Sequence, residues 1–139
     1  MKENLLLIAA TILWGIWGIT NKYAIDRAHP FTVQWMYSIP IALAIPVWYW
    51  LGTRTNLSAY PDSASAFWWA VGSSVAATLA LLLMLFALQN TAPSIATAIT
   101  AAYPVVTLMI GVLLRVEELS PSKLIGIILI VVGIIVVQL

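Results

Sequence analysis

Of the 139 residues, 63% are hydrophobic and 8% are charged, and the mean hydropathy is +1.02; a soluble domain carries about 45–50% apolar and about 25% charged residues. That composition excludes a water-soluble globular domain and predicts a membrane protein. A formal net charge of +1 provides neither a basic field for nucleic acid nor an acidic tail, and the absence of cysteine removes disulfides, thiolate metal sites and cysteine nucleophiles.

In chain order, "MKENLLLIAATILWGIWGI" opens with the charged start and apolar run of a secretory signal. The run holds Trp14 and Trp17 and continues to Ile25 without a small-x-small cleavage site at the right distance, so it reads as a first spanning helix, Leu5 to Ile25. Thr11, Trp14, Gly18 and Asn21 recur on one face of it, with Lys22 beside them. Tryptophan usually anchors in the interfacial belts, and Trp14 and Trp17 fall near the helix centre instead. Two readings of this face stand, a lining for a substrate cavity or a surface for helix packing. Lys22 either snorkels to water or offers a cation to an anionic substrate group.

The second span, Phe31 to Leu51, places Gln34, Tyr37 and Ile41 on one face, and its Pro40 and Pro46 predict bends. Trp48, Tyr49 and Trp50, with Trp68 and Trp69 at the start of the third span, form an aromatic belt. The third span, Phe67 to Leu88, carries Gly72, Ser73, Ala76, Ala77 and Ala80, which suit close helix packing.

In the fourth span, Ser94 to Leu114, Ala96, Thr100, Tyr103, Thr107 and Gly111 recur at three or four positions and share a face. Small residues there allow close backbone approach, and the hydroxyls can bond across helices or to a ligand. Tyr103 needs a partner for its phenol, and Pro104 leaves the Thr100 carbonyl without its usual amide donor. A kink with free polar groups near the midplane is therefore expected. Before the last span, Arg115, Glu117, Glu118 and Lys123 mark the water interface, and Ser120, Pro121 and Ser122 form a helix start. That span, Ser122 to Leu139, holds Gly126 and Gly133 seven residues apart in a field of Ile, Leu and Val, as a peripheral or dimer-forming helix would.

Five spans with little alternation of polar and apolar residues predict an all-α, polytopic bundle, since backbone groups in lipid must bond within their own segment. Lys2, Arg54, Arg115 and Lys123 lie on one side of the membrane, Lys22 and Arg27 on the other. This bias, though shallow, makes the N-terminal side cytoplasmic in the cell membrane. So shallow a bias suits a small protein with few charges, or a chain that inserts in both orientations.

The stretch "NTAPSIATAITAAYPVVTLMIGVLLRVEELSPSKLIGIILIVVGIIVV" resembles the C-terminal part of an EamA-type repeat of the drug/metabolite transporter superfamily, through Ala92 to Ala98, Tyr103-Pro104, Glu117, Leu119-Ser120, Gly126, Leu129-Ile130 and Gly133. The opening "LWGIWGITNKYAIDRAHPFTVQW" is similar to the start of that repeat, with Trp14-Gly15, Lys22 and Pro30 in matching places. One departure is Tyr37, where such repeats often carry an arginine. The resemblance implies a transporter repeat. Familiar members carry two inverted copies, whereas five helices exhaust this length. It thus implies pairing of two chains, an antiparallel homodimer before a parallel one, with a small-molecule substrate held near the midplane.

Related small multidrug resistance proteins use a carboxylate in the middle of the first helix, and this first span has none there. Proton-coupled export of lipophilic cations by that route is disfavoured; a uniporter or exchanger of a polar or aromatic metabolite, or a drug-like compound, fits better. No nucleophile elbow, phosphate loop or metal-ligand spacing is present, and His29 stands alone in a polar loop, so neither enzymatic chemistry nor a cofactor is expected. The alternative reading is an accessory half-subunit that builds a pathway, as a transporter or flippase, only with a different chain.

Overall fold

A computed structural model describes residues 2–54 and 63–139, with side-chain surroundings given from residue 3 and again from residue 65. Every regular element among the described residues is helical: α1 Lys2–Ile25, α2 Pro30–Thr53, α3 Ser63–Leu88, α4 Pro93–Thr100, α5 Tyr103–Leu113 and α6 Pro121–Val137. Most of the polar connection between the second and third spans, including Tyr60 and Asp62, lies outside the described residues, as does the side chain of Lys2 used in the charge count.

Glu3–Ile25, Pro30–Thr53, Ser65–Leu88 and the combined Pro93–Leu113 are long and apolar enough to cross a membrane. At 17 residues α6 is shorter, about 26 Å at 1.5 Å per residue against a hydrocarbon core of about 30 Å. The all-helical architecture expected from composition is therefore present. α2 runs through Pro40 and Pro46 without ending. Neighbouring helices and local adjustment let membrane helices tolerate prolines that would break a soluble one.

In the fourth span, where Pro104 predicts a kink, the helix is interrupted for two residues: α4 and α5 are joined through Ala101 and Ala102, which keep right-handed helical dihedrals. Pro104 has no amide to give the Thr100 carbonyl, and the chain tightens instead: the Ala102 amide donates to the Ile99 carbonyl at 3.1 Å and the Val105 amide to the Ala102 carbonyl at 2.9 Å. These are three-residue links, the tighter turn that marks helix ends and hinges.

The chain divides into two compact units, residues 20–89 and residues 1–19 with 90–139. In the first, Ile25, Val33 and Leu85 form a buried cluster with Ala24, Ala28 and Leu81 against it. Leu85 and Leu88 are wholly buried, fixing the end of α3 against its neighbours. His29 is exposed and caps α2, its Nδ1 accepting from the Phe31 amide at 3.3 Å; its ring meets those of Phe31 and Phe86 at centroid distances of 5.4 and 5.9 Å. In the second unit Ala96, Leu108, Gly18 and Gly111 are buried. Elsewhere the helices present Leu, Ile, Val and Trp outward, the pattern expected where lipid, not water, is the solvent.

Candidate functional site

The residues expected to line a pathway fall in both units. Asn21, Lys22, Gln34 and Tyr37 belong to residues 20–89; Thr11, Trp14, Gly18, Thr100, Tyr103 and Thr107 belong to the other unit, with Gly111, Glu117, Gly126 and Gly133.

Lys22 sits at the end of α1, where its Nζ donates to the Leu88 carbonyl at 2.9 Å and pairs with Asp26 Oδ1 at 2.9 Å. A cation at the last carbonyl of α3 is favoured by that helix's negative end. Lys22 is half-buried and held by these two partners. Asn21 is buried at 5% exposure, and Tyr37 is half-buried. Gln34 is the informative one on α2: its Oε1 is buried and accepts no hydrogen bond from the described residues. A buried acceptor without a donor is costly enough to need a reason.

In the other unit, Gly18 brings α1 against α4. A β-carbon at Gly18 would stand 3.1 Å from Thr97 Cγ2, so only glycine fits this approach without movement. Around that contact Gly15, Gly18, Ile19, Pro93, Ser94 and Thr97 line a cleft of about 200 Å³. Small-molecule pockets run to about 300–1,000 Å³, so this cleft holds a fragment of a ligand and not a whole drug-sized one. Gly15, Pro93, Ser94 and Thr97 entered the sequence analysis through the family resemblance, in Trp14-Gly15 and Ala92 to Ala98, and not as lining residues. Their signal was present in the spacings of Gly15 with Gly18 and of Pro93 with Thr97, but helices read singly do not show which small faces meet.

The hydroxyls on these helices turn back on their own backbones. Thr11 donates to the Leu7 carbonyl at 2.9 Å, Thr100 to Ala96 and Thr97 carbonyls at 3.0 Å each, and Thr107 to the Tyr103 carbonyl at 3.1 Å. Such back-bonding satisfies a hydroxyl in lipid and bends the helix. Trp14 and Tyr103 are exposed at 60% and 57%, directed away from the chain's own packing.

At the end of α5 the chain reverses through a tight cap. Arg115 has φ 58°; its amide donates to the Val112 carbonyl at 3.1 Å and the Val116 amide to the Gly111 carbonyl at 2.9 Å. This is the Schellman arrangement, with arginine in the left-handed position that glycine usually takes. Glu117 then folds over Gly111, and its Oε1 pairs with Lys123 Nζ at 2.9 Å. Ser120 caps α6, as its sequence predicts, accepting from the Lys123 amide at 3.3 Å. Gly126 and Gly133 have open space where a side chain would stand.

No group of three or more His, Asp or Glu able to hold a metal occurs among the described residues. Neither curated proteins nor solved structures gave a match to this chain. The sequence itself matches the EamA-like transporter family over residues 1–139. With that match over the whole chain and four helices of membrane length among the described residues, the chain belongs to the EamA-like transporter family and is an integral membrane protein of the transporter class.

Proposed function

We propose that the chain is a half-size carrier that works as a homodimer, antiparallel in preference to parallel, and moves a small polar or aromatic metabolite or drug-like compound by alternating access. The family match over residues 1–139 carries the transporter reading. Three features support the finer one. The broken fourth span is the kind of discontinuous helix that carries substrate sites in secondary transporters. The buried Gln34 Oε1 has no donor among the described residues and could accept a hydrogen bond from a substrate. Trp14, Tyr103 and the glycines of α6 face outward, where a second copy would meet them.

On this reading the N-terminus faces the cytoplasm in some copies and the far side in others, in keeping with four basic residues against two in the alternate connections. The purified chain alone, reconstituted in vesicles, is expected to take up members of a labelled panel of polar and aromatic metabolites. Inactivity toward the whole panel, with a second small membrane protein co-purifying from native membranes, would replace the carrier with an accessory subunit. Tags at both termini, probed from each side, decide the geometry: a single orientation throughout excludes the antiparallel pair.

A further inference from the structure

The break between α4 and α5 stands between two anchored ends. Among the described residues, Gly18 and Gly111 alone of the seven glycines have a neighbour within 4 Å of an added β-carbon, and each marks one anchor. On the near side, Thr97 of α4 lies against Gly18 of α1. On the far side, the end of α5 is held by the loop folded over Gly111 and by the Glu117–Lys123 pair at the start of α6. α4 also packs on α6, so α4, α5 and α6 close a triangle. Its corners are the Ala101–Ala102 break, the α4–α6 contact and the Glu117–Lys123 pair.

We propose that the break is a hinge and the Glu117–Lys123 pair its latch, so that releasing the pair lets α5 swing on α4. The magnitudes of the links favour this division of labour. The latch is an exposed ion pair, its side chains 41% and 36% accessible, and such pairs are weak and easily screened. Lys123 lies in the first turn of α6, at the positive end of that helix, which weakens its hold further. It is kept there by Glu117 Oε1 and by the Glu118 carbonyl at 2.8 Å. The hinge has lost the Pro104 amide that would tie α5 to Thr100, while Ala101 and Ala102 bring no bulky side chain to block rotation. As the moving part of a transport cycle the device rests on the carrier reading, but its motion is measurable without any substrate.

The absence of cysteine makes the test direct. Ser94→Cys and Leu113→Cys place spin labels on exposed positions of α4 and α5, roughly 25–30 Å apart along a helix rising 1.5 Å per residue. The labelled chain is placed in lipid nanodiscs, diluted with unlabelled chain so that only distances within one chain are read. The hinge predicts a broad or two-peaked distance distribution, narrowed to one peak by Pro104→Ala and moved toward the second peak by Lys123→Met. A single narrow peak that neither substitution changes overturns it. If the distribution is broad but the chain transports nothing, the hinge stands and the carrier reading falls; transport with a rigid fourth span removes the hinge alone.

Discussion

A β-carbon placed on Gly111 would stand 3.1 Å from both the Cβ and the Oε2 of Glu117, so the close of α5 and the loop that follows it are built against each other. Gly111→Ala forces one of them to move. The expected loss is about 1–3 kcal/mol, the usual cost of overpacking a tight contact, read as a lower melting temperature in detergent. Gly72→Ala, inside α3 with open space, is the control and is expected to leave the melt unchanged or raise it, since a helix-interior glycine costs about 0.5–1 kcal/mol relative to alanine.

Arg115 occupies a left-handed backbone conformation, φ 58°, which costs a residue bearing a β-carbon about 1–2 kcal/mol. Glycine carries no such penalty. Arg115→Gly is therefore expected to stabilise the chain by about 1 kcal/mol, offset in part by the greater freedom of glycine in the unfolded state. A fall in melting temperature would show that the cap geometry is different.

The cap and latch illustrate what the sequence discloses and what it hides. Ser120-Pro121-Ser122 announces a helix start through residues adjacent in the chain, and the structure places the Ser120 hydroxyl on the Lys123 amide. Pro104 announces a disturbance for the same reason, that its missing amide is a local fact; the form it takes, a tight turn through Ala101 and Ala102 between two helices, was not legible. The partner of Lys22 was hidden too. Its carbonyl belongs to Leu88, 66 residues away, and no periodicity within α1 points to it. Likewise, that Gly15 and Thr97 share a cleft follows only from the meeting of α1 and α4. Whether Thr11, Trp14, Tyr37, Thr100, Tyr103 and Thr107 touch a substrate is a proposal for mutagenesis.

Lys22 serves the fold through Leu88 and Asp26. Lys22→Met removes a charged donor from the end of α3 and leaves Asp26 without its partner. A loss of about 1–2 kcal/mol is expected, in the range for hydrogen bonds to charged groups after allowing for partial exposure. Lys22→Arg, which keeps the charge, should recover most of it. Transport abolished in both variants with unchanged melting would instead assign Lys22 to substrate.

Gln34 separates structure from function in the opposite direction. Its Oε1 is buried without a donor among the described residues, so Gln34→Leu removes a desolvated acceptor and should be neutral or stabilising by up to about 1–2 kcal/mol. If the oxygen receives a substrate donor, the same variant loses substrate affinity by about tenfold or more, the equivalent of about 1.4 kcal/mol. A stabilised protein with normal transport kinetics would remove Gln34 from the site.

Gly126 and Gly133 expose bare backbone on α6, and close approach of a second chain would use it. On the homodimer proposal, Gly126→Leu together with Gly133→Leu is expected to leave the helical content unchanged and to shift the chain from dimer to monomer in detergent or nanodiscs. An unchanged dimer places the interface on another helix.

The carrier reading meets its most direct test in counterflow. Vesicles containing the purified chain and loaded with an unlabelled compound, chosen from whichever members of the panel are taken up, are diluted into a trace of the labelled compound. Alternating access predicts a transient accumulation of label inside above its equilibrium level, abolished when an excess of unlabelled compound is added outside. Label that only equilibrates, at a rate indifferent to the internal load, would contradict a carrier.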